Sequence, residues 1–216
     1  MANHAFLVEP LSNAEKAIEH ANVARSMFDW RSESALVLGN GPLGLLALGS
    51  LTAGYDPLYC LGRRDRPNPT IDVIEGLGAR YVDSHRTPVT AFADVHEPVD
   101  LAIEATGCAR HTFETLNVLA PNGTGALLRI PDDQSFEMEG GRRHRETVSG
   151  NKLLVGSVNA NARHFDLASD SLLSIPDRVL DDLVTGRFAP DEVADAFRTD
   201  EHDIESVVEF ATLDEV

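Results

Sequence analysis

The chain has 216 residues, of which 43% are hydrophobic, so it is long enough to bury a sizeable core. It carries 35 acidic and 18 basic residues, a formal net charge of −17, which argues against non-specific binding to nucleic acid. No apolar run reaches the roughly 18 residues of a membrane span, and the N-terminus lacks the charged-then-apolar pattern of a signal peptide. The sequence therefore predicts a cytoplasmic protein that does not contact a membrane.

The acidic residues are spread along the whole chain, and lysine is rare. Lys16 and Lys152 are the two lysines. This balance resembles that of proteins adapted to high salt, in which dissolved ions screen the repulsion between like charges. A merely acidic protein from an ordinary environment is the alternative. We favour salt adaptation, because so large a net charge destabilises a compact state at low ionic strength.

The N-terminal part is predicted to be a linking helix. Residues 12–15, Ser-Asn-Ala-Glu, have the pattern of a capping box, and apolar residues recur after it at helical spacing. Upstream of this cap, Glu9 stands directly before Pro10 and is the one residue there with useful chemistry.

A glycine-rich turn follows the first predicted strand. Residues 35–38 are a short apolar run typical of a buried strand, and residues 42–51 are predicted to form an apolar helix that begins at a proline. Strand, glycine turn and helix in this order are typical of a dinucleotide site, in which the diphosphate lies at the positive end of the helix. The predicted cofactor-binding residues of the turn are Gly39, Asn40, Gly41, Pro42, Leu43 and Gly44.

The end of the second predicted strand, residues 57–61, indicates which dinucleotide binds. An NAD-binding domain usually places an acid here, about 20 residues after the glycine turn, to bind the ribose 2′-hydroxyl. This chain has Gly62, Arg63 and Arg64 instead. Two guanidinium groups can form charge-assisted hydrogen bonds with a 2′-phosphate, so the sequence favours NADP over NAD. Two alternatives remain: the arginines are solvated surface residues, or Asp65 is the missing acid.

Further strands and helices alternate along the chain. Strands are predicted at 79–82, 100–104, 125–130 and 153–159, helices at 70–77 (capped by Thr70) and 110–119, a connection at 91–97 and a turn at 121–123. This alternation predicts an α/β fold with a doubly wound (Rossmann) parallel sheet of about six strands. Cys60 and Cys108 lie in or just after these strands and are predicted to be buried free thiols.

The last third of the chain changes character. Residues 131–152 are polar, and the basic cluster at 142–145 is interpreted either as an anion-binding loop or as a solvated connection. Helices are predicted at 162–174, 176–184 and 190–197, followed by a short strand at 204–210. Gly186 is predicted to terminate the second of these helices. We therefore divide the chain into a lead-in segment and linking helix (1–30), a dinucleotide-binding domain (31–160) and a C-terminal helical segment (161–216).

These motifs resemble the zinc-dependent medium-chain dehydrogenase/reductase superfamily, and most closely the NADP-using glucose dehydrogenases of salt-adapted archaea. The resemblance covers nearly the whole chain. It rests on the glycine turn at 39–44, on Glu-Ala-Thr-Gly at 104–107, on Gly-Ser-Val-Asn at 156–159 and on the C-terminal segments 183–188 and 191–197.

The resemblance implies an NADP-binding portion of a zinc-dependent sugar dehydrogenase, which passes hydride from C1 of an aldose, with glucose as the expected sugar, to the nicotinamide. It implies that Thr106 lies near the ribose and that Asn159 contacts the nicotinamide or the sugar. It also implies that Glu9 is a zinc or sugar contact. The family's other zinc ligands have no counterpart in this sequence, so zinc is not expected to be held by this chain alone.

Two functions remain open at this stage. The first is the dehydrogenase, for which the resemblance implies a homo-oligomer formed through the cofactor domain. The second is a nucleotide-binding module without chemistry of its own, which is either a truncated gene product or the back half of a split enzyme with a separate zinc-domain chain.

Overall fold

The computed structural model describes residues 2–28, 33–131, 133–198 and 200–210. Within these ranges the chain forms one six-stranded sheet, a separate pair of strands and nine α-helices. The predicted boundary between residues 30 and 31 and the last six residues, 211–216, lie outside the described ranges.

The large sheet is parallel throughout and has the strand order β3-β2-β1-β4-β5-β6. This is the order of a Rossmann fold, in which the direction of strand succession reverses between β1 and β4. The predicted doubly wound sheet of about six strands is therefore confirmed. Its strands are β1 (Ala35–Leu38), β2 (Leu58–Gly62), β3 (Arg80–Asp83), β4 (Val99–Glu104), β5 (Leu119–Leu127) and β6 (Leu153–Gly156).

Helices cover both faces of this sheet. Every residue of β1, β2 and β4 is buried, as expected for parallel strands that are covered on both sides. The helices are α1 (Val8–Arg25), α2 (Pro42–Leu51), α3 (Pro69–Gly76), α4 (Phe92–Val95), α5 (Ala109–Val118), α6 (Gly140–Ser149), α7 (Ala162–Ser174), α8 (Asp177–Leu183) and α9 (Val193–Ala196).

The core has one cluster on each face of the sheet. On one face, Val37 and Cys60 pack with apolar residues of α1, α2, α3, α7 and α8. On the other face, Tyr59 packs edge-on against Phe92, with ring centroids 5.3 Å apart, beside residues of α5. Cys60 is fully buried, which raises the pKa of its thiol to about 12. Its predicted burial is confirmed, whereas Cys108 is only partly buried.

The linking helix begins earlier than the sequence predicts. Helix α1 starts at Val8, and its N-cap, Leu7, makes no side-chain hydrogen bond. The hydroxyl of Ser12 donates to the carbonyl of Glu9 inside the helix, so the predicted capping box is wrong. Leu7 and Leu11 are almost fully buried. Their burial in the core stabilises the first turn of the helix, although no side chain caps its N-terminus. At α3, Asn68 rather than Thr70 is the cap, and its side chain accepts from the N–H of Thr70 at 3.0 Å.

The polar segment at 131–152 contains a helix that the sequence did not predict. Helix α6 has no buried residue and is held by ion pairs along its surface. Arg142 Nε lies 2.7 Å from a carboxylate oxygen of Glu146, and Arg143 Nη1 lies 2.9 Å from the other. The basic cluster is thus partly neutralised by its own helix. The cluster is largely exposed, in agreement with the predicted solvated connection, but it lies on a helix rather than in a loop. A short helix, α4, likewise lies in the predicted connection at 91–97.

The C-terminal segment forms three α-helices, α7, α8 and α9, and a small second sheet. Strands β7 (Val184–Phe188) and β8 (Glu205–Val208) pair in parallel. Gly186 lies inside β7, so the prediction that it closes a helix is wrong. His4 Nε2 lies 2.9 Å from a carboxylate oxygen of Asp181, which joins the N-terminal turn to α8. None of the helices in the described ranges combines the length and apolar character that crossing a bilayer requires.

Candidate dinucleotide-binding site

The glycine turn between β1 and α2 joins the ends of three strands. Gly39 has a φ of 106°, in the left-handed region that favours glycine. Its N–H donates to the carbonyl of Leu61 at the end of β2, at 2.9 Å. A Cβ on Gly39 would come within 3.1 Å of Thr106 Cγ2, just beyond β4. The turn is therefore fixed against its neighbours on both sides.

Gly44 lets α2 pack directly on this turn. A Cβ at this position would stand 2.1 Å from the carbonyl oxygen of Gly39. No side chain fits in that gap, since real Cβ contacts are never so short. The third glycine of the motif is thus required for close packing of the helix on the turn.

The N-terminus of α2 is open to a ligand. Gly41 is its N-cap, and apart from Gly41 itself and its two chain neighbours no atom of the described residues lies within 4 Å of the place where a Cβ would stand. Pro42 is the first helical residue, and the first backbone bond of the helix runs from Leu45 N–H to the Gly41 carbonyl at 2.9 Å. The N–H groups of Leu43 and Gly44 therefore have no partner within the helix. Free donors at the positive end of a ten-residue helix can bind an anion.

Two arginines stand at the end of β2. Arg63 is exposed and Arg64 is half-buried, and within the described ranges neither forms an ion pair. The hydroxyl of Tyr81 donates to the backbone carbonyl of Arg64 at 2.7 Å, which holds the chain at the point where the strand ends. Burial raises the pKa of Tyr81 to about 12, so the phenol stays protonated and keeps donating. The guanidinium groups are consequently available to an external anion.

A cavity of about 560 Å³ opens beside Arg64, between the ends of β2 and β3. Two further arginines line this cavity, and each is paired with an acid. Arg66 pairs with Glu75, and Arg86 Nε lies 3.3 Å from a carboxylate oxygen of Asp83. The residues that line it are Arg64, Asp65, Arg66, Tyr81, Val82, Asp83, Arg86, Thr87 and His96. Asp65 lines the same cavity as Arg64. Its position is therefore compatible with the alternative prediction that it contacts the ribose.

The side chain of Asn40 lies against Gly62. A Cβ on Gly62 would stand 2.4 Å from Asn40 Cγ and 2.6 Å from its Nδ2. The Nδ2 atom is buried and has no hydrogen-bond partner. An unpaired buried donor is costly, and such groups in folded proteins call for a specific explanation.

Thr106 is held by a hydrogen-bond network around a buried carboxylate. Glu104 is 1% exposed at the end of β4, and its Oε1 accepts from both the N–H and the hydroxyl of Thr106. The Thr106 hydroxyl also accepts from Cys108 N–H at 3.0 Å and lies 3.0 Å from His111 Nδ1. Because its one hydrogen goes to the carboxylate, His111 Nδ1 must be the donor.

The Thr106 hydroxyl therefore has no hydrogen-bonding capacity left. It donates once and accepts twice, which is all that a hydroxyl can do. Its methyl group packs against Gly39. The predicted contact of Thr106 with a ribose consequently has to use its backbone or its methyl group.

Glu9 and Asn159 are exposed, and within the described residues no hydrogen bond joins either side chain to the glycine turn. Glu9 is exposed in the first turn of α1, where one carboxylate oxygen accepts from Asn13 Nδ2 at 3.3 Å. In the part of the chain that the structure describes, no three His, Cys, Asp or Glu side chains group as metal ligands. Asn159 is exposed just beyond β6, with a φ of 60°. It lies at the predicted carboxyl edge but four strands from β2, roughly 19 Å at about 4.8 Å per strand.

Sequence reasoning missed the groups that support this site from behind. Glu104 was seen as part of a strand ending, while His111 and Tyr81 carried no motif. The one available signal was a buried acid inside an apolar strand, since a charged residue is almost never fully buried without partners.

The strand order and the open glycine turn at the strand reversal define a Rossmann fold of the dinucleotide-binding class. Comparison with known proteins narrows this class. The family model for the C-terminus of glucose dehydrogenase matches residues 2–210, and the chain belongs to this family.

Curated relatives are similar over almost the whole chain. The chain is 52% identical to glucose 1-dehydrogenase 1 of Haloterrigena turkmenica and 54% identical to glucose 1-dehydrogenase of Halobacterium salinarum, with 99% and 98% of this chain covered. The matches cover 61% and 60% of those proteins. The chain thus spans about three fifths of the length of the relatives it matches.

Solved structures agree with this assignment. Glucose dehydrogenase of Haloferax mediterranei in complex with NADP, Zn and gluconolactone superposes with a TM-score of 0.93 at 52% identity, over 96% of this chain and 59% of that one. A putative zinc-binding dehydrogenase from Sinorhizobium meliloti bound to NADP, at 20% identity and a TM-score of 0.77, shares the fold.

Proposed function

We propose that this chain is the NADP-binding portion of a zinc-dependent glucose 1-dehydrogenase. The observation that carries the proposal is the open N-terminus of α2 beside Arg63 and Arg64 at the end of β2, which form no ion pair within the described ranges. Support comes from the Haloferax mediterranei relative, whose structure holds NADP, Zn and gluconolactone.

The residues present fit the cofactor. The empty space at Gly41 and the free N–H groups of Leu43 and Gly44 suit the diphosphate, and Gly39 with Pro42 shapes the turn. Arg63 and Arg64 suit the 2′-phosphate. Bound NADP accepts hydride at its nicotinamide; the chain supplies binding, orientation and charge. Thr106 fixes the wall next to the turn, and Asn159 would lie toward the nicotinamide or the sugar.

Zinc does not fit the described residues in the same way. One exposed carboxylate, that of Glu9, cannot hold the ion, which requires three or four protein ligands. Polarisation of the substrate by zinc is therefore not assigned to the residues of this chain. Glucose oxidation, a cytoplasmic location, a homo-oligomer and a separate zinc-domain chain belong to the proposal for the whole protein.

A nucleotide-binding module without chemistry is the second candidate. The observation that favours it is the lack, in the described ranges, of any group of three side chains suited to a metal. It shares the cofactor site with the first candidate and differs from it in the reaction.

Isothermal titration of the chain with NADP and with NAD, at one fixed molar salt concentration, tests cofactor binding. We expect NADP to bind more tightly than NAD. Incubation with glucose, NADP and zinc, followed by NADPH absorbance, tests turnover, and we expect none from this chain by itself. Equal affinity for the two cofactors, or no binding, would contradict the proposed site. Appreciable turnover would contradict the need for further zinc ligands.

A further inference from the structure

Asn40 stands where two features of the site meet. It is the second residue of the glycine turn, and its carboxamide fills the space over Gly62, the last residue of β2. In an NAD-binding domain the acid that binds the ribose 2′-hydroxyl stands at about this strand end. Any side chain at position 62 would start 2.4 Å from Asn40 Cγ. The carboxamide therefore occupies the room that an acid at this position would need.

The amide nitrogen of Asn40 is an unused donor. Its Nδ2 is buried and has no hydrogen-bond partner within the described residues. Burying this donor therefore lowers the stability of the fold, and no hydrogen bond within those residues compensates for the loss. A half-turn of the carboxamide about χ2 breaks no hydrogen bond of this nitrogen. Because Asn40 lies against Gly62, its carboxamide is next to the strand end that continues into Arg63 and Arg64.

An anion satisfies this donor better than a neutral hydroxyl does. Hydrogen bonds to a charged acceptor are about twice as strong as those between neutral groups, and a phosphate offers three acceptor oxygens. The two neighbouring guanidinium groups have no ion pair within the described ranges and favour the same charge. An acid at the same place would repel it.

We infer that Asn40 is a selectivity-determining residue: its carboxamide donates to the 2′-phosphate of NADP and at the same time excludes an acidic side chain from position 62. The inference rests on the proposed function and adds a third group to the arginine pair. It also makes positions 40 and 62 a coupled pair, 22 residues apart in sequence and in contact in the fold.

The first test is titration of Asn40→Leu and Asn40→Asp with both cofactors at one salt concentration. Asn40→Leu keeps the volume but removes the donors, so we expect NADP binding to weaken by about 10-fold or more while NAD binding changes little. Because the substitution also removes an unpaired buried donor, the melting temperature of the cofactor-free chain should stay the same or rise. Asn40→Asp should weaken NADP further and leave NAD unchanged or tighter. Asn22→Asp, an exposed site on α1, is the charge-matched control and should change neither affinity.

The second test examines the coupling with position 62. We expect Gly62→Asp to weaken NADP but to improve NAD binding little while Asn40 remains, and to improve it roughly 10-fold when Asn40→Ala is added. Two results together overturn the inference and leave the proposed function intact. The first is that Gly62→Asp binds NAD equally well with Asn40 and with Asn40→Ala. The second is that the NADP affinity is unchanged in Asn40→Leu and in Asn40→Asp. A wild-type chain that shows no preference for NADP overturns both.

Discussion

The carbonyl oxygen of Gly39 lies 2.1 Å from the point where a Cβ on Gly44 would stand. Only a residue without a Cβ can stand at position 44 while α2 lies this close to the turn that follows β1. By contrast, the Cβ position of Gly41, two residues after Gly39, faces empty space. The two later glycines of one motif thus have different physical roles, packing for Gly44 and ligand access for Gly41.

Alanine substitutions should separate these roles. Gly44→Ala forces the helix away from the turn and should destabilise the chain by about 1–3 kcal/mol, with loss of cofactor binding. Gly41→Ala should leave stability almost unchanged, because its φ of −79° and ψ of 177° suit alanine, yet weaken NADP roughly tenfold. Thermal melts and titration measure the two effects. Equal stability loss in both variants would contradict this division.

The arginine pair should carry much of the preference for NADP. Each charge-assisted hydrogen bond contributes about 1.5–3 kcal/mol before ordering costs, so Arg63→Ala/Arg64→Ala should weaken NADP by roughly 10- to 100-fold and hardly change NAD. The control is Arg145→Ala/Arg178→Ala, which removes the same charge from two exposed sites. If the arginine pair variant weakens both cofactors equally, Asp65 becomes the better ribose contact.

The Thr106 hydroxyl should matter for stability rather than for direct ligand contact. Thr106→Val leaves the buried Glu104 carboxylate without its hydroxyl donor, at a cost of about 1–3 kcal/mol in the free energy of unfolding. Thr106→Ser keeps the hydroxyl and loses one methyl group, which costs about 0.8 kcal/mol. Urea unfolding distinguishes them. A valine variant as stable as the serine variant would show that the network contributes nothing.

The junction of α1 and α7 should weaken in acid. His164 Nδ1 accepts from Asn161 N–H at 3.1 Å, so its Nε2 carries the hydrogen that it donates to Glu19 at 2.9 Å. This bond and the neighbouring Arg163 hold the pKa of Glu19 below its ordinary value. A lowered folded-state pKa stabilises the fold above the unfolded pKa of roughly 4.3, and that stabilisation is lost as the pH falls through the folded pKa.

Glu19→Gln should therefore cost about 1 kcal/mol at neutral pH and progressively less below pH ~4. Asp166→Asn, an exposed acid on α7, is the control. Denaturant unfolding across a pH series measures the difference. A cost that does not change with pH would mean that the charge of Glu19 is not responsible.

Salt should stabilise the whole chain. With 35 acids and 18 bases, repulsion reaches across about 10 Å at 0.1 M salt but only about 3 Å at 1 M. We expect the melting temperature to rise with potassium chloride concentration. A flat or falling melting temperature would contradict salt adaptation.

Local signals in the sequence were sufficient for several elements. The predicted bounds of α2 and α7 agree with the structure, because a proline at the first helical position and an asparagine cap mark their starts. Helix α6 was missed because it buries nothing and depends on ion pairs between neighbouring turns. The start of α1 was misplaced because burial of Leu7 and Leu11 outweighs its weak cap.

The sequence by itself determined the Rossmann class, the glycine turn and the arginine pair, since each depends on residues close together in the chain. Only the tertiary structure decided that Asn40 covers Gly62 and that the Thr106 hydroxyl is already saturated. These facts depend on which strand ends meet at one edge of the sheet and on how many hydrogen bonds one group has already made. Neither can be read from local periodicity, because both arise from contacts between segments that are distant in sequence.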